Sequence, residues 1–159
     1  MATRREGKGA AGEPAGIVIR PAAAADVPAV VALDERQTGT AKPEYWHDLF
    51  ERYQNRGDQR HFLVAESGGA LLGFIIGEIR AWEFGSPPCG WVFAIGVQPH
   101  ARLRKVATRL LDAISERFRK AGIAKLRTMP ARDDNLILSF FRSQGMMAGP
   151  FIQLEKDLD

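Results

Sequence analysis

The densest chemistry in the chain runs from Ile95 to Ala107, read Ile95-Gly96-Val97-Gln98-Pro99-His100-Ala101-Arg102-Leu103-Arg104-Lys105-Val106-Ala107. An apolar run stops at Pro99, and a strongly amphipathic helical pattern begins within about five residues of it. The spacing puts Arg102, Arg104 and Lys105 in the first turn of that helix. A helix N-terminus already carries roughly half a positive charge, so each cation there costs about 0.3–1 kcal/mol. An anion at the terminus removes the conflict, because free backbone N–H groups, the helix dipole and the cationic side chains then converge on it. The expected ligand is a phosphate. On charge alone, solvated cations beside a helix start remain the alternative.

The charge of the chain is concentrated in the same place. From Pro99 to Lys125 eight basic residues face only Asp112 and Glu116, while the whole chain is no more than +3. One local cluster suggests one anionic partner and argues against general coating of nucleic acid. The apolar periodicity carries no recognition-helix pattern, so nucleic-acid binding ranks last. Cys89 is the single cysteine, and there are three histidines. An intrachain disulfide is excluded, and a zinc site built from these residues is not expected. Cys89, beside Pro87-Pro88, reads as a packed structural thiol; His47 and His61 read as structural, and His100 could touch a phosphate.

These groups need a scaffold, and 159 residues supply one domain. A hydrophobic content of 45% excludes disorder over the whole length. The longest apolar run, Leu71 to Gly77, is far short of the ~20 residues that span a bilayer, so no membrane helix is expected. Residues 1–16 are rich in Gly and Ala and lack an apolar core for a secretory signal; they are expected to be a flexible tail ahead of a single domain at 17–159. A cytoplasmic location is expected.

Ile17 to Arg20 reads as a strand stopped by Pro21. Asp26 is expected to cap a helix running to about Arg36, in which Val27, Val30, Val31 and Asp34 follow helical spacing. Pro43 to Gln54 reads as a second helix with an aromatic face, and 55–60 as a loop. His61–Glu66 and Leu71–Arg80 read as strands joined by Ser67-Gly68-Gly69. Trp91–Val97 is a third strand, apolar enough to be expected buried on both faces. Leu103, Val106, Ala107, Leu110, Leu111, Ile114 and Phe118 define the strongest helix, ending at Gly122. Lys125–Met129 is a short strand. Asp133 or Asp134 can cap a helix ending at Gly145, and Phe151–Lys156 is expected to be a last strand.

The order of elements and the basic junction resemble the GNAT superfamily of N-acetyltransferases. That family's phosphate loop reads Gln/Arg-x-x-Gly-x-Gly/Ala after a strand ending in Val-x-Pro. Here the strand end is Val97-Gln98-Pro99, and Arg102 and Ala107 match the first and last loop positions. Leu110-Leu111 continues the helix as the family does, and Asn135 through Phe141 to Gly145-Met146 resembles its Asn-led helix. The opening segment, Ile17 to Pro21 and Asp26 onward, also matches. The resemblance covers residues 17–157.

The resemblance implies a layered α/β GNAT fold: a mixed, mostly antiparallel sheet flanked by helices, with strands splayed at a cofactor slot. It implies acetyl-CoA as cosubstrate and a small-molecule or peptide amine as acceptor; homodimers are common in the family. The pyrophosphate would lie on Leu103, Arg104, Lys105, Val106 and Ala107, with Arg102 alongside. The pantetheine would follow Ile95, Gly96 and Val97, and the amide of Ile95 or Val97 would polarise the thioester carbonyl. Asn135 would hold the cofactor arm or the adjacent loop. Three departures stand out. Lys105 replaces the central glycine. Phe141 replaces the tyrosine that serves as general acid. The strand Trp91–Gly96 has no carboxylate, which leaves Glu78 and Glu83 as the nearest candidates for a general base; exposed strand-end charges are their other reading. Tyr45, Trp46, Trp82, Phe84 and Trp91 could line an acceptor pocket, favouring an apolar acceptor, though such aromatics are more often core. The competing function is a catalytically degenerate acyl-CoA-binding or regulatory module.

Overall fold

The computed structural model describes residues 16–54 and 57–159; the expected N-terminal tail, Gly16 apart, and part of the 55–60 loop lie outside them. Five strands form one sheet in chain order: β1 (Val18–Pro21), β2 (Arg60–Ser67), β3 (Ala70–Arg80), β4 (Cys89–Val97) and β5 (Leu126–Thr128). The first three pairings are antiparallel and the β4–β5 pairing is parallel. The β2–β3 hairpin turns on Gly68 and Gly69, both at positive φ (57° and 80°), the backbone that a two-residue hairpin demands.

Alternation along the strands sorts side chains to two faces. Phe62, Val64, Phe74 and Ile76 face one way and pack with α1 (Val27–Thr38) and α2 (Pro43–Tyr53). Leu63, Ala65 and Ile75 face the other way and pack with α3 (Val106–Lys120) and α4 (Asn135–Ser143). The mixed, mostly antiparallel sheet between helices is therefore the architecture the sequence implied. Glycines let α3 sit close to the sheet. A Cβ on Gly90 would lie 2.6 Å from Phe118 Cδ2, and one on Gly77 would lie 3.0 Å from Ile114 Cδ1. Among the described residues no helix is long and apolar enough to cross a membrane.

Three expectations are corrected. Asp26 makes no side-chain cap bond to α1. Its carboxylate turns back to accept from Arg20 at 2.7 and 2.9 Å and from the Ala23 N–H at 2.7 Å, while a short 3-10 turn at Ala24–Asp26 leads into the helix. A bidentate guanidinium–carboxylate pair is stronger than a single neutral cap bond. The last strand, Phe151–Lys156, does not form: 151–159 have no strand structure and are exposed throughout. A strand needs a neighbour to bond with, and the sheet ends at the three-residue β5. Nor is β4 buried on both faces, since Phe93 is 37% exposed; the cause is the parting of β4 and β5 described below.

His61 is buried against the Phe118 ring, and its Nε2 has no hydrogen-bond partner. Burial, helped by Arg117, lowers its pKa below the ordinary histidine value. The folded protein thus binds fewer protons than the unfolded chain near pH 6, so this group's contribution to stability is present above about pH 6.5 and is lost as the pH falls. Thermal melts at about pH 7.5 and 5.5 should show a larger fall in Tm for the wild type than for His61→Leu, which cannot titrate.

Candidate functional site

β4 and β5 pair at only three positions: Gly90 with Leu126, Trp91 with Arg127, and Val92 with Thr128. The Thr128 hydroxyl donates to the Val92 carbonyl at 2.7 Å and closes the seam. Beyond it β4 continues through Phe93 to Val97 while the chain after β5 turns away. The bend coincides with a bulge. Gly77 faces Val92 and Ile76 faces Ala94, so Phe93 has no opposite number on β3. Bulges bend a strand and end pairing in this way.

The parting opens a cleft of about 560 Å³, lined on the β4 side by Phe93, Ala94 and Ile95 and on the far side by Thr128, Met129 and Pro130. A smaller hollow of about 170 Å³ extends it along Ile95, Gly96 and Val97 to Arg102 and Ala107. Leu136 and Ile137 of α4 form part of the wall of both. Gln37 of α1, a residue the sequence did not single out, also lines both, and its amide donates to the Val97 carbonyl at 3.5 Å.

At the end of β4 the chain does not enter α3 directly. Pro99–Arg104 form 3-10 turns, Lys105 takes left-handed backbone (φ 58°, ψ 28°), and α3 begins at Val106. Arg102 and Arg104 therefore precede the helix and are not in its first turn, which relieves the clash with the dipole. Lys105 has the turn geometry that glycine adopts freely, carrying a Cβ that costs about 1 kcal/mol there. The Gly-to-Lys departure thus leaves the direction of the loop intact.

Of the residues expected to hold a cofactor, Ile95, Gly96, Val97, Arg102, Ala107 and Phe141 line the cleft or its extension. Leu103, Arg104, Lys105, Val106 and Asn135 do not line either. Val106 is fully buried in the core, and Leu103 is exposed at the loop's tip. Asn135 opens α4, whose cap is the Asp134 carboxylate accepting from the Ile137 N–H at 3.1 Å.

The two base candidates lie elsewhere. Glu78 accepts from the Tyr53 hydroxyl at 2.9 Å and from Arg80 at 3.2 Å, with Arg60 at 3.8 Å. Burial first, and Glu78 next, keep the Tyr53 hydroxyl protonated well above the usual phenol range. Glu83 is largely exposed, 3.9 Å from Arg80. Neither lines the cleft. The carboxylate that does so from the core of α1 is Asp34, 7% exposed. Its Oδ2 accepts from Trp46 Nε1 at 3.0 Å and from Lys42 Nζ at 2.9 Å. The aromatic lining also differs from expectation. Phe74, Phe93 and Phe141 supply it, while Trp46 is core and Trp82, Phe84 and Trp91 line a separate hollow.

A long strand parts from a short parallel neighbour, and a basic turn leads from its end into the next helix. The sequence profile of the acetyltransferase (GNAT) family matches residues 27–146, and the chain belongs to that family. Solved structures share the fold. The aminoglycoside N-acetyltransferase AAC(6′)-Iy in complex with CoA is 17% identical, with a TM-score of 0.80 over 92% of this chain and 97% of that chain. The 6′-N-acetyltransferase AAC(6′)-Ih from Acinetobacter baumannii is 15% identical, with a TM-score of 0.76 over 91% of this chain and 100% of that one. A transcriptional regulator from Bacillus halodurans C-125 is 16% identical, with a TM-score of 0.75 over 90% and 100%. The cleft fits a CoA-type cosubstrate, because an open strand edge, an apolar wall and a basic turn succeed one another along it.

Lys105→Gly should stabilise the fold by about 1 kcal/mol, because glycine adopts positive φ without the Cβ clash. Urea unfolding of the two proteins measures the difference.

Proposed function

We propose that the protein is an acetyl-CoA-dependent N-acetyltransferase that moves an acetyl group to a primary amine by direct attack. The observation that carries this reading is the parting of β4 from β5 after Val92, which leaves the edge of Phe93–Val97 facing an open cleft that leads to Arg102. Acetyl-CoA supplies the acetyl group as a thioester. Arg102, Lys105 and the amides from Leu103 to Ala107 hold the pyrophosphate. The N–H of Ile95 or Val97 donates to the acyl oxygen and stabilises the charge that grows there. Asn135, at the start of α4, holds the cofactor arm or the adjacent loop. The amine nitrogen bonds to the acyl carbon, the carbon–sulfur bond breaks and CoA leaves as the thiolate, and the amine proton passes to solvent, since Glu78 and Glu83 lie outside the cleft. Phe141 has no proton to give, and a thiol of pKa near 8.5 leaves tolerably well without one.

The same Phe141 supports a second reading, a non-catalytic acyl-CoA-binding module. Release of free CoA from acetyl-CoA in the presence of an amine panel separates the two, since the module binds without turnover.

Calorimetric titration with acetyl-CoA, using dephospho-CoA as control, tests the donor site. The double variant Arg102→Ala, Arg104→Ala should weaken binding about tenfold or more, the worth of charge-assisted bonds to phosphate, with its circular dichroism unchanged. An unaltered Kd would remove the phosphate assignment. Phe141→Tyr places an O–H in the cleft wall and should raise kcat if protonation of the leaving sulfur limits the rate; equal kcat values would show that it does not.

A further inference from the structure

Asp34 has a buried position, a place in the cleft wall and a bound primary ammonium. Burying a carboxylate is costly unless it is paired. Trp46 Nε1 supplies one bond at 3.0 Å, which fixes the group from the α2 side. The second comes from Lys42 Nζ at 2.9 Å, reaching in from the short connection between α1 and α2. Both bonds fall on Oδ2, and among the described residues no group bonds Oδ1. The two partners differ in permanence. Trp46 is core, while the Lys42 side chain is 38% exposed and among the described residues makes one other hydrogen bond, to the Thr38 hydroxyl at 3.4 Å. Trp46 is thus a fixed support and Lys42 a removable one.

We propose that Asp34 is the specificity-determining anchor for an ammonium group of the acceptor, and that Lys42 holds that place in the empty protein. A carboxylate stabilises the charged form of the amine it binds, and a protonated amine has no lone pair with which to attack. The group held at Asp34 is therefore the one that does not react. The acceptor then carries at least two amino groups, one anchored at Asp34 as the cation and one free to reach the acyl carbon. Phe74 and Phe93, in the same wall, suit an apolar stretch between them. A di- or polyamine stands here in place of the apolar or aromatic acceptor that the sequence's aromatic residues suggested. This inference rests on the acetyltransferase reading for the identity of the cleft.

The test is calorimetry on the full chain saturated with CoA, so that no turnover intervenes. The probes are 1,5-diaminopentane, sisomicin and, as the single-amine control, pentylamine. Asp34→Asn keeps an acceptor for Trp46 and removes the charge; Lys42→Met removes the resident ammonium without touching the core. At least one of the two polyamines should bind the wild type about tenfold or more tighter than pentylamine, the worth of a charge-assisted bond in a buried site. Asp34→Asn should abolish that advantage and leave pentylamine unaffected, and Lys42→Met should tighten the polyamine severalfold. A purely structural Asp34 would leave the Lys42→Met affinity unchanged. The proposal is overturned if neither polyamine outbinds pentylamine, if Asp34→Asn weakens all probes alike or none, or if Lys42→Met does not tighten binding. Loss of CoA binding in the wild type would instead overturn the donor site, because CoA is titrated separately before the amines.

Discussion

A strand that continues after its neighbour has turned away carries backbone donors and acceptors with no ladder to join, and the rest of this protein is arranged around that constraint. A buried polar group left unpaired costs about 1–3 kcal/mol, so such an edge must meet solvent, a side chain or a ligand. Along β4, side chains meet two of these groups and the rest face the cleft. Thr128 closes the last paired carbonyl, Gln37 reaches the carbonyl of Val97, and the stretch between is left to the cleft. The bulge at Phe93 supplies the bend, and the glycine floor under α3 keeps the other half of the sheet tightly packed while this half opens.

Charged groups of both signs line the cleft: Arg102 from the turn before α3, Asp134 from the cap of α4, and Arg36 and Asp34 from α1. Asp34 is the buried one among them, held by Trp46. Glu78 lies outside the cleft. Tyr53 and Arg80 bond it, and Arg60 stands close by, tying α2 to the strand ends of the sheet.

Much of this was legible in the residues. Gly68-Gly69 between alternating strands specified the hairpin, the three- and four-residue apolar repeat from Val106 to Phe118 specified α3, and Val97-Gln98-Pro99 with Arg102 and Ala107 specified the junction. What the residues did not disclose depended on contacts distant in the chain. Left-handed backbone at a lysine has no signature, so α3 was expected to start too early and to include the cations. The alternation at Phe151–Lys156 is local, whereas a strand's partner is not. Asp34 did carry a clue: it falls three and four residues after Val31 and Val30, on the stripe of α1 that should be apolar. A carboxylate on such a stripe needs a buried partner, and Trp46 on the following helix was available to provide it. Glu78 and Glu83 are the carboxylates nearest in sequence to Trp91–Gly96, a strand that has none, whereas Asp34 reaches the cleft wall from α1.

The order of strands in the sheet has a consequence for how the molecule comes apart. β1 to β4 stand side by side in the order they occur in the chain, joined as antiparallel neighbours; β2, β3 and β4 close through short connections, whereas β1 reaches β2 through α1 and α2. β5 joins β4 in parallel through a crossover containing α3, and it is retained by three residue pairs. With three pairs, β4–β5 is the shortest seam in the sheet, and a partial opening there would leave the α1–α2 core standing. Because the detaching edge is also one wall of the cleft, amide exchange along β5 and α4 would report on occupancy of the site as directly as any titration.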